Sequence, residues 1–171
     1  MKTLKRACAA ATLLVIFSLN AEEIIFSPAF TGWKKSSSST QVFADTKIKI
    51  SKKCSVRLEN GGQLKKDFEL EPNSKYELTF YVKGEGIESG NNCGARIMLN
   101  SGKKWGRAVA DPKGEPDVGT FDWKKGRKII DTSIFSSGKV TIILAIIGEG
   151  TVWYDALKLE KINTPDNKAK Q

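Results

Sequence analysis

The run Lys139–Ile147 (KVTIILAII) constrains this chain more than any other segment. It is apolar and rich in β-branched residues, which lose side-chain freedom in a helix and pack well on a pleated surface. Residues 148–150 (GEG) break the run, and Thr151–Ile162 (TVWYDALKLEKI) resumes it with aromatic and apolar side chains. The pattern predicts two strands joined by a tight, glycine-flanked turn. The second strand closes the folded part, because residues 163–171 hold nothing apolar larger than Ala and read as a disordered polar tail.

Upstream, period-two alternation recurs. Ile48 and Ile50 alternate with Lys47 and Lys49, and Val56 and Leu58 with Arg57 and Glu59. Tyr76, Leu78, Phe80 and Val82 point one way while Glu77, Thr79, Tyr81 and Lys83 point the other. Ala95, Ile97 and Leu99 oppose Arg96, Met98 and Asn100. Glycine, asparagine and proline breaks separate the runs at 60–62, 72–74, 84–86, 90–92, 111–114 and 136–138. Outside the first 21 residues no window carries a helical stripe; LKKDFEL at 64–70 is too short to decide, and its neighbours favour a strand. The reading is all-β: a two-sheet antiparallel β-sandwich of jelly-roll type, one domain over residues 22–162. Residues 101–120 show the least strand character, and loops of that length inside a domain are more often functional than connecting.

The N-terminus reads as a signal peptide over residues 1–21. Lys2, Lys5 and Arg6 precede an apolar stretch from Ala7 to Leu19, shorter than the roughly 20 residues a membrane-spanning helix needs. Its removal takes three basic residues and no acid, so a net charge of +9 becomes +6. The expected product is secreted or periplasmic and does not insert into a membrane. Its basic balance suits an acidic polysaccharide, an anionic envelope or nucleic acid. The lysines are scattered through turns and strands, however, which reads first as a solvated surface, and no nucleic-acid partner is expected. Export also favours a disulfide between the two remaining cysteines, Cys54 and Cys93, with two unpaired thiols as the alternative.

Catalysis finds little support. The chain contains no histidine, so neither a Ser-His-Asp arrangement nor a common zinc set is available. Glu85, Glu88, Asp111, Asp117 and Asp122 lie in turn-like contexts where carboxylates are ordinarily solvated, and no phosphate-loop spacing follows the glycine pairs. The tryptophans are more informative, because a flat aromatic ring stacks on the apolar face of a sugar while polar neighbours fix its hydroxyls. Trp153 and Trp123 have strand contexts and read as core. Trp105 lies in SGKKWGR, a polar, glycine-bearing stretch with no apolar partner nearby, where ligand contact competes with packing. Tyr81, Arg96 and Asn100 stand opposite the core alternation. If their strands share a sheet they form an aromatic, a guanidinium and an amide on one surface; the same set also describes an ordinary outer sheet face.

Three segments carry a resemblance: LEPNSKYELTFYVKGEG at 70–86, FDWKKGRKII at 121–130 and the closing strand GTVWYDALKLEKI at 150–162. Together they resemble the β-sandwich carbohydrate-binding modules of the galactose-binding-like superfamily. The resemblance implies non-catalytic binding of a polysaccharide or other glycan, with Trp105, Tyr81, Arg96 and Asn100 as the candidate ligand-binding residues. It also implies a structural calcium held by Asp155 with groups from the N-terminal segment; this chain has Thr31 after Phe30 where an acidic residue is frequent, and Asp155 could instead accept backbone hydrogen bonds. No other cofactor is expected. The alternative function, from another class, is a periplasmic or surface structural protein whose sandwich binds another protein, favoured by the lack of a visible linker or second domain.

Overall fold

Strand β6 (Lys75–Ile87) shows how alternation becomes a sandwich: Tyr76, Leu78, Phe80 and Val82 are buried, whereas Glu77, Thr79, Tyr81 and Lys83 keep contact with water. A pleated strand sends successive side chains to opposite faces, so one face of β6 is committed to a core. The computed structural model describes residues 22–24, 26–37, 40–102, 104–135 and 138–162. The expected leader at 1–21 and tail at 163–171 lie outside the described residues.

The other strands are β1 (Glu22–Ile24), β2 (Lys34–Lys35), β3 (Gln41–Asp45), β4 (Ser55–Glu59), β5 (Gln63–Glu69), β7 (Gly94–Ser101), β8 (Lys104–Ala108), β9 (Gly119–Asp131), β10 (Lys139–Ile147) and β11 (Thr151–Ile162). They form two sheets. The first runs β3-β4-β11-β6-β9, with β1 also paired to β11; the second runs β2-β5-β10-β7-β8. All described ladders are antiparallel. The fold is an antiparallel β-sandwich, as the alternation predicts, and the only helical piece among the described residues is a 3₁₀ turn at Thr132–Ile134.

Leu58, Leu78, Phe80, Tyr154 and Leu157 from the first sheet meet Leu64, Ile97, Ile142, Leu144 and Ile146 from the second. Each such fully buried side chain contributes on the order of 1.5–3 kcal/mol relative to its exposed state. At the β9 edge the packing is tight enough to exclude a side chain: a Cβ on Gly126 would overlap the Phe80 ring. Tyr154 is wholly buried, and its hydroxyl donates to the Ala145 carbonyl at 2.8 Å, tying the two sheets together.

Two expectations about local structure are corrected. β10 and β11 do not pair with each other. β10 pairs with β5 and β7, β11 with β4 and β6, so residues 148–150 carry the chain from one sheet to the other. Gly148 and Gly150 adopt φ of 88° and 112°, and a Cβ at Gly150 would stand 2.6 Å from the Gly86 carbonyl oxygen, so glycine is required there. Residues 101–120 are also not one loop. KWGRA forms the edge strand β8, and Asp117 bridges to Ala95 through reciprocal backbone bonds of 2.8 and 3.1 Å. Only Ala108 of that strand is buried, too short an inward pattern to register as alternation.

Candidate functional site

The register of the second sheet assembles a row of polar and aromatic groups on its outward face. Ile97 and Leu99 point into the core, so Arg96, Met98 and Asn100 point outward from β7. Asn100 is opposite Trp105 of β8 on one side and Thr141 of β10 on the other; Thr141 is in turn opposite Asp67 of β5. The row Trp105, Asn100, Thr141, Asp67 therefore crosses four strands, about 14 Å at the usual strand spacing. A parallel row holds Arg107, Met98, Ile143 and Lys65.

Trp105 is 64% exposed, the most exposed of the large apolar side chains described. It sits on the edge strand beside an amide whose oxygen has no partner: Asn100 Oδ1 is buried without a hydrogen bond among the described residues. A buried acceptor left unpaired costs roughly 1–3 kcal/mol, which a ligand hydroxyl or a water would recover. Further along, Thr141 Oγ1 donates to Asp67 Oδ1 at 2.7 Å, and Lys139 Nζ lies 2.9 Å from Asp67 Oδ2. These two contacts hold the Asp67 carboxyl below its ordinary range. The face thus offers an open aromatic plate, an unpaired acceptor and an ordered carboxylate, an inventory for binding polyols.

Arg96 shares this face but is spent on structure. It is 6% exposed, its Nη1 donates to Asn92 Oδ1 at 2.8 Å, and its Nη2 donates to the carbonyls of Asn92 and Cys93. Burial, and next the nearby Arg107 charge, lower its pKa. Arg96 fixes the 90–93 turn at the rim of the face.

Tyr81 does not join the group. β6 belongs to the first sheet, so Tyr81 points to solvent from the opposite side of the sandwich, where its neighbours are Asp155 and Lys125. The alternation of β6 correctly turned Tyr81 outward, but periodicity carries no information about which sheet a strand enters. Trp153 is on that same outer side, 3% exposed, with Nε1 donating to Asp45 Oδ2 at 2.9 Å. Expected as core, it is buried but not between the sheets. Trp123 is half-buried in edge strand β9 and stands outside the core cluster, a correction to its core reading. Trp33 packs between Phe26 and Phe68, with ring centroids at 5.5 and 6.4 Å.

Asp155 is fully buried at a bulge of β11, where Ala156 takes φ of 48°. Its Oδ2 accepts from the N–H groups of Ile50 and Ser51 at 2.6 and 2.8 Å, and its Oδ1 from Ala156 N–H at 2.7 Å. A cation would need acceptors where these donors stand, so the surroundings of Asp155 do not fit calcium. Among the described residues no three Cys, Asp or Glu side chains cluster as a metal set. The backbone-acceptor alternative describes Asp155 instead.

The expected disulfide is likewise corrected, because Cys54 and Cys93 are both free thiols. Cys54 is buried against the Phe26 carbonyl, 3.4 Å from its Sγ, near Asp155 on the first sheet. Cys93 leads into β7 of the second sheet, packed on Gly148. The two thiols thus sit on different sheets, one beside Asp155 of β11 and the other beside the turn that precedes that strand.

No known family model and no curated protein matches this sequence. Solved structures do share the fold. The CBM22-1 xylan-binding domain from Paenibacillus barcinonensis superposes with a TM-score of 0.54 at 12% identity, covering 85% of this chain and 95% of that one. The CBM22-1 and GH10 modules of a Clostridium thermocellum endo-1,4-β-D-xylanase, complexed with xylohexaose, give 0.56 at 10% identity, over 81% of this chain and 28% of that one. A CBM4 structure gives 0.52 at 12% identity, with 82% and 95% covered. At such identities the likeness establishes the β-sandwich fold, the one that the sequence resemblance implies. Among the described residues no helix is long and apolar enough to cross a membrane.

Proposed function

We propose that this protein is an exported, non-catalytic polysaccharide-binding module whose ligand lies along the outward face of the second sheet. One observation carries the reading: Trp105 stands 64% exposed directly opposite Asn100, whose buried side-chain oxygen has no partner among the described residues. An exposed tryptophan beside an unmet acceptor is costly to keep for structure alone, and it is what stacking on a sugar ring with a hydroxyl bond to an amide requires. The fold shared with a xylan-binding domain and a CBM4 structure supports the same reading. Trp105 supplies the stacking plate and Asn100 the acceptor. Thr141 and Asp67 extend the row, while Arg96 positions the rim. The absence of histidine from the sequence supports binding without catalysis. Export rests on the charged and apolar character of residues 1–21.

The test is a pull-down of the folded protein on insoluble polysaccharides with affinity electrophoresis in soluble ones, over neutral and acidic glycans. Retention on at least one glycan, competed by its soluble oligosaccharide, is the expected result. No retention on any of them would leave the face to a protein partner.

A further inference from the structure

The row ends at an edge, and around that edge lies a second feature. Edge strands β8 and β9 close the same side of the two sheets, and between them opens a cleft of about 450 Å³. Its walls are Arg107 to Asp111 on one side and Lys125 to Lys128 on the other. The floor is Gly126, where the Phe80 ring occupies the space a side chain would need. Four cations line it, Arg107, Lys125, Arg127 and Lys128, against a single carboxylate, Asp111.

The cations are unequally committed. Arg127 is paired with Glu77, and Arg107 lies 3.7 Å from Glu115. Lys125 and Lys128 have no ion-pair partner among the described residues and both are exposed, but register turns Lys125 to the outer face beside Tyr81 and Lys128, opposite Leu78, to the cleft side of β9. The Asp111 carboxylate already accepts the Lys113 N–H at 2.7 Å within its own turn. Like charges this close repel, and a concave site with unpaired cations concentrates anions. Arg107 joins the two features, because it is two residues from Trp105 on the same outward side of β8 and also lines the cleft.

We infer that the polysaccharide bound at Trp105 is an acidic one, with a carboxylate or sulfate group seated in the β8–β9 cleft by Lys128. This inference rests on the glycan-binding reading of the Trp105 face. A sugar ring of the chain would stack on Trp105 while a carboxylate or sulfate turns over the edge past Arg107. A polysaccharide is favoured over nucleic acid because the row beside the cleft has a single aromatic plate and an ordered carboxylate, Asp67. Successive stacked bases and a phosphate backbone would want several plates and no acid.

The test compares matched pairs by affinity electrophoresis: polygalacturonate against its fully methyl-esterified form, and dextran sulfate against dextran, with duplex DNA as a further polyanion. The acidic member of at least one pair is expected to bind more tightly, and the pair that discriminates identifies carboxylate or sulfate. Lys128→Gln should erase that preference, about tenfold or more in affinity given the strength of hydrogen bonds to charged groups, whereas Lys125→Gln on the other face of β9 should keep it. Binding of the neutral member should be unchanged, and so should the melting temperature. Raising salt should weaken the acidic pair member selectively. Equal binding of acidic and neutral members, with Trp105→Ala still weakening both, overturns this inference and leaves the glycan reading intact. Binding of DNA as tight as that of the acidic glycans, lost in Lys128→Gln, overturns it in favour of nucleic acid. No glycan binding at all overturns both.

Discussion

The two outer faces of the sandwich each carry a tryptophan, and they treat it oppositely. On the first sheet Trp153 lies between Arg57 and Lys83 in register, 3% exposed, with its indole N–H held by Asp45. Asp45 also accepts from Lys47 and Ile48 N–H at 2.9 Å each, and Arg57 stacks 4.7 Å over Phe43. Lys83 turns away to Asp122 at 2.9 Å. Around Trp153 that face is finished: the ring is covered and the indole satisfied, while Phe43 stays 40% exposed beneath Arg57. On the second sheet Trp105 is open and Asn100 Oδ1 has no partner among the described residues. Unmet polar atoms beside an open ring point outward to a ligand, whereas met ones describe structure. The contrast shows that a tryptophan's role is set by what its register neighbours leave undone.

The comparison is broken most sharply by Trp153. Trp153→Ala should cost about 3–5 kcal/mol of stability, the scale for deleting a buried aromatic, and should leave intrinsic glycan affinity unaltered in the folded fraction. Chemical unfolding measures it, and a loss below that of an ordinary surface substitution would mean the first face is not finished after all.

Next in size is Asp45. Asp45→Ala strands the Trp153 indole and two backbone donors, for roughly 1–3 kcal/mol. Burial alone would raise the Asp45 pKa, but bonds from Ile48, Trp153 and Lys47 and the Arg57 charge together hold it below the ordinary value. A depressed folded pKa contributes stability above the unfolded value of 3.8, lost as pH falls through the folded one. The stability gap between wild type and Asp45→Ala should therefore be full at pH 7 and shrink on acidification below pH ~4. A gap independent of pH would place the variant's cost elsewhere than in this carboxylate.

Smaller again is Asn100→Ala, on the open face. Its oxygen has no bond to lose among the described residues and its burial unpaired is itself a cost, so stability should hold or rise. Glycan affinity should fall by about 0.5–1.5 kcal/mol, one hydrogen bond's worth, as titration calorimetry would show. A large loss of stability with no loss of affinity would make Asn100 a structural residue.

Much of this was legible in the sequence, for stated reasons. Alternation reads burial directly, so the inward faces of β6 and β7 and the outward turn of Tyr81, Arg96 and Asn100 followed from period two. Sheet membership did not, because it depends on which distant strands pair. That is why Tyr81 was grouped with residues across the molecule, and why the tight turn at 148–150 did not reveal that the two strands it joins belong to opposite sheets. The rest of the Asn100 row escaped for the same cause: Thr141 and Asp67 are 41 and 33 residues away, Thr141 opposite Asn100 and Asp67 opposite Thr141 only through register. Trp105 stood out because its surroundings are polar, a local signal that survived even though its segment is an edge strand and not a loop. The disulfide failed since compartment chemistry says that cysteines may oxidise, and only the fold says whether they meet.

The central claim is that Trp105 is a binding plate and not a packing group. The measurement is one titration of Trp105→Ala against the best-retained glycan, run beside its thermal melt. The account predicts an affinity loss of about 1–3 kcal/mol, by analogy with stacked bases, with a melting temperature within a degree or so of wild type, as for surface changes. Unaltered affinity, or a variant that melts far below wild type, would contradict it.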